Sequence, residues 1–289
     1  MQSNSDVLIR RATPQDAAAC GRICYDAFAA INAAHSFPCD FANVEHALGM
    51  INAIFQAPGF HCIVAESEGK LLGSNCLDQR SIIHGIGPIT VDPGTQNRGV
   101  GRKLMQTLLD RSRERGAAGV RLVQAAFHTR SLSLYASLGF DIREPLVVVQ
   151  GRTTERSISG CTVRAATAAD LDACNALSYR VHGYERSADL AHAIEQCTAV
   201  IVERAGRITG YSTALAFFGH TTAESNQDIQ ALLTSVESFG GAGFLLPTRN
   251  TQLFRWCLAN GLRVVEPMTL MAMGLYNEPQ GAWLPSILF

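Results

Sequence analysis

The most informative stretch of this chain is Ile89-Thr-Val-Asp-Pro-Gly-Thr-Gln-Asn-Arg-Gly-Val-Gly-Arg102. Its apolar start predicts a β-strand that ends at Val91, and helical spacing over Gly99–Arg115 predicts a long amphipathic helix. Between them, Gly99 and Gly101 let successive backbone N–H groups converge, and the helix start adds a partial positive charge. The turn therefore predicts a pyrophosphate site built from backbone groups. Taken alone, it is equally typical of a glycine-rich strand-to-helix turn, because glycine is a common residue.

A second motif, His128-x-x-Ser131-x-x-x-Tyr135-x-x-x-Gly139-Phe140, lies on the next predicted strand-to-helix turn. Together the two motifs resemble those of the GNAT superfamily of acyl-CoA-dependent N-acetyltransferases. In that family the second motif commonly reads Asn-x-x-Ala-x-x-x-Tyr-x-x-x-Gly-Phe. His128 stands where the family has Asn and Ser131 where it has Ala, while the Tyr, Gly and Phe match. The resemblance covers residues 7–150, with both motifs in register.

The resemblance implies a role for each part of the two motifs. The pantetheine of acetyl-CoA, the implied cosubstrate, would bond backbone groups of Ile89 and Val91 as a neighbouring strand does. The N–H of Val91 would also polarise the thioester carbonyl. Tyr135 would give its proton to the departing thiolate, with a core tyrosine on a helix face as the alternative. The other residues implied to hold the cofactor are Gln96, Asn97, Arg98, Gly99, Val100, Gly101, Arg102, His128 and Ser131.

The second half of the chain echoes the first, which predicts a duplicated fold. Three ordered pairs of segments match: Ile9–Asp16 with Val163–Asp170, Ile63–Glu66 with Val200–Glu203, and Gly139–Pro145 with Gly261–Pro267. The second copy lacks the glycine turn and carries Cys257 where the tyrosine would be. It is therefore predicted to have lost catalysis. A Cys257 nucleophile is the alternative, although no histidine or acid adjoins it in sequence.

Hydrophobic periodicity predicts the order βααβββαβαβ for the first copy, with Ile82–Val91 as the fourth strand and Pro145–Val149 as the last. We expect an α/β fold of two GNAT-like domains, each a mixed, mainly antiparallel sheet flanked by helices. The expected boundaries are 1–150 for the catalytic domain, 151–160 for a polar linker, 161–275 for the degenerate domain and 276–289 for an apolar tail. The simpler interpretation is that this tail packs on the rest of the protein. The alternative interpretation places the tail, with the Phe289 carboxylate, at the acceptor pocket.

Candidates for the acceptor side come from one loop and one strand. In this family the loop between the first two helices, here Ile31–Phe41, usually lines the acceptor site. His35 and Asp40 would bind or deprotonate an amine there, with Phe37 as a wall. A loop that caps its own turns is the alternative. His84, at the start of the fourth strand, is a second candidate base, or else an exposed hairpin residue.

Composition excludes several classes of partner. The 289 residues carry 24 basic and 25 acidic side chains, a formal net charge of −1, which offers no basic surface for a nucleic acid. No apolar run approaches the roughly 20 residues that span a membrane, and the start lacks the layout of a signal peptide. Nine cysteines without a C-x-x-C pair indicate reduced thiols and no metal site. We therefore expect a cytoplasmic protein with neither nucleic-acid nor membrane partners. The oligomeric state stays open.

The predicted function is transfer of an acetyl group from acetyl-CoA to an amine of a small molecule or peptide, by direct attack in a ternary complex. A non-catalytic acyl-CoA sensor or scaffold is the first alternative, and the intact Tyr135 argues against it. A dinucleotide-binding module is the second. Against it, Gln-x-x-Gly-x-Gly differs from Gly-x-Gly-x-x-Gly, and no acidic residue follows at the usual distance. The acceptor amine and the preferred acyl chain have no signature in the sequence.

Overall fold

The structure, a computed structural model, describes residues 7–96 and 98–288. Tertiary contacts divide the chain into two compact units. The first unit contains the residues up to Leu122 together with His128–Asp141 and Leu288. The second contains Val123–Phe127 and Ile142–Ile287.

The first unit is built on a mainly antiparallel sheet. Its strands are β1 (Leu8–Arg11), β2 (Phe60–Ser67), β3 (Lys70–Asp78), β4 (Ile83–Ile86), β5 (Thr90–Val91) and β6 (Gly119–Ala125), of which residues 123–125 are counted with the second unit. Strands β1 to β4 pair antiparallel in this order, and β6 runs parallel to β4. Strand β5 pairs with β3 beyond the end of β4. The mixed, mainly antiparallel sheet predicted from the sequence is thus confirmed.

Helices cover both faces of this sheet: α1 (Ala17–Ala34), α2 (Val44–Gln56), α3 (Val100–Glu114) and α4 (Thr129–Ser137). On β3, the side chain of Asn75 donates to the sulfur of Met105 on α3 at 3.4 Å. The next residue, Cys76, packs with Ile54 of α2. Because successive strand residues point to opposite faces, α2 and α3 lie on opposite sides of the sheet.

The second unit repeats this plan with additions. Its strands are β7 (Asp141–Gln150), β8 (Cys161–Ala165), β9 (Val200–Arg204), β10 (Arg207–Ser212), β11 (Thr221–Ala223), β12 (Phe244–Pro247), β13 (Arg263–Gly274) and β14 (Ala282–Leu284). Its helices are α5 (Leu171–His182), α6 (Ser187–Glu195), α7 (Asn226–Thr234) and α8 (Thr251–Ala259). One antiparallel sheet has the order β14-β11-β10-β9-β8. Strand β7 pairs antiparallel with β12 and also neighbours β13.

The duplication extends to a shared ion-pair network. In each unit an arginine of one strand, β1 or β8, binds one carboxylate at the start of the helix that follows and one on the paired strand, β2 or β9. The pairs are Arg10 with Asp16 and Glu66, and Arg164 with Asp170 and Glu203, all at 2.8 Å. In both units the arginine lowers the pKa of the aspartate, because it favours the charged form. Both copies of the fold therefore keep the same ion pairs between strand and helix.

Replacing Arg10 by Ala is expected to lower the free energy of unfolding by about 1–2 kcal/mol at pH 7, because the Asp16 carboxylate loses its charged donor. Hydrogen bonding to Arg10 lowers the pKa of Asp16 to about 2, against about 3.9 in an unfolded chain. A lowered folded-state pKa adds stability above the unfolded value, and this stability is lost as the pH falls through the folded value. In urea titrations the wild-type advantage should be full above about pH 5 and shrink towards about pH 2. An advantage independent of pH would contradict this assignment, and exposed Arg22→Ala is the control.

Two strands of the first copy differ from their predicted bounds. The fourth strand, predicted over Ile82–Val91, is divided into β4 and β5. Gly87 has a φ of 142° and Pro88 has no N–H to donate, so the ladder is interrupted there. The last strand, predicted over Pro145–Val149, spans Asp141–Gln150 and pairs with β12 inside the second unit.

The division of the chain therefore differs from the expected boundaries. Residues 142–150 lie in the second unit rather than closing a 1–150 domain, because the ladder partner of β7 is there. Residues 151–160, expected as a linker, and 276–287, expected as a tail, also belong to the second unit. Within the described part of the chain, no helix combines the length and apolar character needed to cross a membrane.

Candidate active site

The outer edge of β5 offers backbone groups to a ligand. Strands β3 and β5 pair antiparallel with Gly73 opposite Val91, and the N–H of Asp92 donates to the carbonyl of Leu72 at 2.8 Å. Bonded and non-bonded pairs alternate along such a ladder, so the N–H and C=O of Val91 point away from β3. Strand β6 pairs with β4 but not with β5. Within residues 7–96 and 98–288, no strand covers this edge.

Gly73 sets the close approach of β5 to β3. A Cβ added at Gly73 would overlap the carbonyl oxygen of Thr90 and lie 3.0 Å from the Cα of Val91. Only glycine permits this spacing, and any larger residue would push β5 outward. A glycine inside a predicted strand is the sequence signal of such an approach, although it does not identify the partner.

The glycine turn begins α3 with unbonded N–H groups. Gly99, the residue that caps α3, has a φ of 79°, in the left-handed region that favours glycine. The N–H of Lys103 donates to the carbonyl of Gly99 at 3.1 Å. The N–H groups of Val100, Gly101 and Arg102 precede it and have no acceptor within the helix. Among the described side chains none caps this end, so the turn is suited to hold an anion.

Gln96 connects this turn to β5 and to α4. Its Nε2 donates to the carbonyl of Val91 at 3.2 Å, and its Oε1 accepts from Arg130 at 2.5 Å. The side chain therefore positions Val91 rather than standing free for a ligand. Arg130, which motif spacing did not single out, joins exposed Arg98 and Arg102 around the turn. Three guanidinium groups at one helix start favour phosphate binding there. The net charge of the whole chain does not reveal this local positive charge.

Tyr135 is buried on α4 beside the same turn. A Cβ at Gly101 would lie 3.6 Å from Leu134 and 3.8 Å from the side chain of Val91, so the start of α3, the second half of α4 and the end of β5 meet here. The ring of Tyr135 packs edge-on against Phe140, with centroids 6.3 Å apart. Burial alone raises the pKa of the Tyr135 hydroxyl. The phenol is therefore protonated at neutral pH and can donate.

His128 and Ser131 form the first turn of α4. The hydroxyl of Ser131 donates to the carbonyl of His128 at 2.9 Å, which supports the start of the helix. Burial, with the charges of Arg130 and His35, lowers the pKa of His128 to about 4, so its ring is neutral at pH 7. Its Nε2 is buried, and within the described part of the chain it has no hydrogen-bond partner. A neutral imidazole in place of the family's Asn keeps a polar group at this position.

The loop after α1 is held by its own polar groups. The side chain of Asn32 donates to the carboxylate of Asp40 at 3.4 Å, Phe37 is half-buried, and His35 is exposed. His35 lies close enough to His128 to affect its pKa. The structure therefore brings the loop towards the start of α4, while the Asn32 contact matches the self-capping alternative. The acceptor roles of His35, Phe37 and Asp40 stay predictions.

His84 lies in the core of the first unit. It is 4% exposed, and its Nδ1 is 2.9 Å from the hydroxyl of Ser112 on α3. The alternative of an exposed hairpin residue is wrong, because β4 is flanked by β3 and β6 and its His84 side is covered by α3. Burial lowers the pKa of His84. Its role as a base stays a prediction, and its hydrogen bond to Ser112 argues against that role.

In the second unit the corresponding strand edge is filled. Gly210 lies opposite Ala223, as Gly73 lies opposite Val91, but the far side of β11 pairs with β14. Helix α7 follows β11 and is capped by extended Ser225 rather than by a left-handed glycine. On α8, Cys257 is fully buried, and burial raises the pKa of its thiol to about 12. Such a thiol is not a nucleophile at neutral pH.

The C-terminal segment is part of the fold as a strand. Ala282 and Leu284 of β14 share a core with Cys257, which is more specific than simple packing of a tail. Leu288 packs in the first unit, against Ile54 and Cys62 among others. Two predicted site residues, Asn97 of the glycine turn and C-terminal Phe289, lie outside the described residues.

The described residues contain neither a cluster of metal ligands nor a disulfide bond. Across residues 7–96 and 98–288, no three His, Cys, Asp or Glu side chains are arranged to hold a metal ion. All nine cysteines are free thiols.

The open strand edge, the glycine turn at a helix start and the buried tyrosine on the next helix are the features that the resemblance to the GNAT fold implies. Comparison with known proteins agrees, because the family described as "Acetyltransferase (GNAT) family" matches residues 27–140. Residues 27–140 are thus similar to the GNAT acetyltransferases. Over 65 residues it is 42% identical to "[Ribosomal protein bS18]-alanine N-acetyltransferase" of Escherichia coli strain K12. That match covers 22% of this chain and 41% of the relative, so the chain spans less than half the length of the curated relatives it matches.

Two solved structures resemble the chain over nearly its full length. A protein of Pyrococcus horikoshii classed with the acetyltransferases has a TM-score of 0.71 at 18% identity, covering 96% of this chain and 94% of that one. A GCN5-related N-acetyltransferase of Sphaerobacter thermophilus has a TM-score of 0.62 at 14% identity, covering 96% and 98%. At such identities the likeness concerns the fold, and it extends over both halves of the chain.

Proposed function

We propose that the first unit is an N-acetyltransferase that moves an acetyl group from acetyl-CoA to an amine. The observation that carries this proposal is that Gly101, at the start of α3, faces both Val91 of β5 and Leu134 of α4. Val91 has an outward N–H, the start of α3 has unbonded N–H groups, and Leu134 adjoins Tyr135, whose hydroxyl is protonated. The family match of residues 27–140 supports the same reaction and cosubstrate.

Backbone groups would do most of the binding. Pantetheine would extend the sheet along the free edge of β5, bonding Ile89 and Val91. The pyrophosphate would accept from the N–H groups of Val100, Gly101 and Arg102, and the exposed arginines around the turn would add attraction. This division of labour explains how a chain of formal net charge −1 binds a strongly anionic cosubstrate.

In the reaction, the neutral amine nitrogen attacks the thioester carbon, the carbon–sulfur bond breaks, and the nitrogen loses one proton, which offsets the proton that the departing sulfur gains. Negative charge develops first on the carbonyl oxygen, where the N–H of Val91 can stabilise it, and then on sulfur, where Tyr135 can supply a proton. Burial raises the pKa of the phenol, and the same dry surroundings raise the proton affinity of the leaving thiolate. The two proton affinities are therefore shifted in the same direction.

The acceptor is proposed only as a class. The Escherichia coli relative is named for acetylating an alanine of ribosomal protein bS18, which supports an amine of a small molecule or peptide. His35 and Asp40 are the proposed acceptor-side groups, and the second unit is proposed to be non-catalytic because its equivalent edge and turn are altered.

The test is release of free CoA thiol from acetyl-CoA by the full chain, with a panel of amines. The panel should include an alanine-starting peptide, a polyamine, free amino acids and an aminoglycoside. At least one amine should give saturable thiol release above the amine-free rate, with the acetylated product seen by mass spectrometry. Tight CoA binding without release for any amine would instead support the sensor or scaffold alternative.

A further inference from the structure

The second unit contains an open pocket of about 380 Å³ that the proposed reaction does not use. It lies between the end of β11, the starts of α7 and α8, strand β7 and the segment that leads into β14. The chemically distinctive residues of its wall are Glu144, Glu224, Asn226, Arg249, Glu278 and Trp283. All of them lie within residues 142–287 of the second unit.

The pocket is the space beside the end of β11 that β14 does not fill. Strand β14 occupies the edge of β11, and the glycine before it sits so close that a Cβ at Gly281 would lie 2.5 Å from the carbonyl of Ala223. Two lining residues, Asn226 and Asn250, donate to each other through their side-chain amides at 3.0 and 2.7 Å. These contacts tie the starts of α7 and α8 together, so the pocket is preformed.

The charges of the wall leave one carboxylate oxygen unsatisfied. Glu144, only 2% exposed, receives the Nε of Arg249 on its Oε2 at 2.8 Å. Its Oε1 is buried and, within the described residues, has no donor. The same Arg249 also donates to Glu278 at 2.9 Å, so one guanidinium serves two carboxylates. A buried carboxylate oxygen without a donor is costly and calls for a missing partner.

Glu224 adds a third carboxylate, which Arg180 and Arg207 already pair. The remaining group of Glu144, Arg249 and Glu278 carries a net charge of −1, and a bound cation would balance it. Arg249 lines the pocket and its side chain is 55% exposed, so it can give way to a ligand group that approaches Glu144. Trp283 supplies an apolar wall for the carbon chain of such a ligand.

We propose that this pocket binds a small organic molecule through a primary ammonium group. The ammonium would donate to Oε1 of Glu144 and to Glu278. Charge alone would not suffice, because the unsatisfied oxygen needs a hydrogen-bond donor, and an uncharged donor would leave the net charge of −1 unbalanced. The site would be separate from the acetyl-transfer site, and binding there would not require Tyr135.

Isothermal titration calorimetry of the full chain, with 1,4-diaminobutane as the probe, tests this proposal. Saturable binding is expected, whereas 1,4-butanediol should not bind. Tetramethylammonium, which has the charge but no N–H, should bind at least tenfold more weakly. No saturable binding of the diamine, or equal binding of the diol or of inorganic phosphate, would overturn the proposal.

Variants locate the binding and separate it from an acceptor site in the first unit. Glu144→Gln should weaken diamine binding at least tenfold and Glu278→Gln several-fold, while Glu237→Gln, 82% exposed and outside the pocket, should bind as wild type does. If Glu144→Gln does not fold, Glu278→Gln decides. Asp40→Asn, which alters a proposed acceptor-side group of the first unit, should leave diamine binding unchanged. Binding retained in the foldable pocket variants, or lost in Asp40→Asn, would place the diamine elsewhere and refute the site even if acetyl transfer is demonstrated.

Discussion

Replacing Tyr135 by Phe is expected to lower kcat for acetyl transfer by about 10²-fold or more, within the range typical of a positioned general acid. The dissociation constant of CoA should stay within about twofold, because the cosubstrate would be held by backbone groups of β5 and α3 rather than by the phenol. The ring also packs against Phe140, and phenylalanine keeps that contact. The fold should therefore survive, and the loss should appear in the chemical step alone.

Steady-state thiol release gives kcat, and calorimetry with CoA gives the dissociation constant. Tyr211→Phe is the matched control, because Tyr211 is another fully buried tyrosine but belongs to the second unit. It should leave turnover within about twofold of wild type. If Tyr135→Phe turned over like wild type, Tyr135 would be a core tyrosine, the alternative that the motif alone left open.

Replacing Gly101 by Asp is expected to raise KM for acetyl-CoA at least ~100-fold, which corresponds to about 2.7 kcal/mol of binding. A side chain at Gly101 points towards Leu134 and Val91, at ordinary contact distances for its Cβ. Sterically the fold should tolerate it, and a carboxylate in the first turn favours a helix. The same carboxylate repels a pyrophosphate and competes for the N–H groups of the turn.

The second unit offers a matched control for this charge. Gln227 is the second residue of α7, as Gly101 is of α3, and it is exposed. Gln227→Asp should leave KM for acetyl-CoA unchanged if only the first unit binds the cosubstrate. Circular dichroism and thermal melting check that both variants are folded. An unchanged KM in Gly101→Asp would show that the glycine turn does not hold the pyrophosphate.

The local features of the proposed site could be predicted because they depend on particular residue types at short spacings along the chain. Gly99 has the left-handed φ that its place in the turn requires, and Tyr135 lies on the predicted helix. The duplicated Arg10 and Arg164 networks follow from matched segments in the two halves. Each of these depends on neighbours along the chain or on an internal repeat, so the sequence carries it directly.

Other features needed the tertiary structure. The apolar alternation of β7 suits any sheet edge, and only burial against a particular strand decides that it pairs with β12. The same holds for the C-terminal segment, whose apolar composition predicted packing but not that Trp283 would lie opposite Thr222 beside β11. The hydrogen bond between His84 and Ser112 and the contact of Gln96 with Arg130 join residues far apart in the chain.

By itself, the sequence determined that the chain holds two related α/β copies, and that only the first keeps a glycine turn and a tyrosine. Those properties arise from backbone conformations and spacings set within a few residues. The tertiary structure decided which strand edge stays open and which is filled, and where the unsatisfied Glu144 oxygen lies. Edges and pockets are formed by strands that compete for the same partners across the whole chain, and that competition is resolved only when the chain folds.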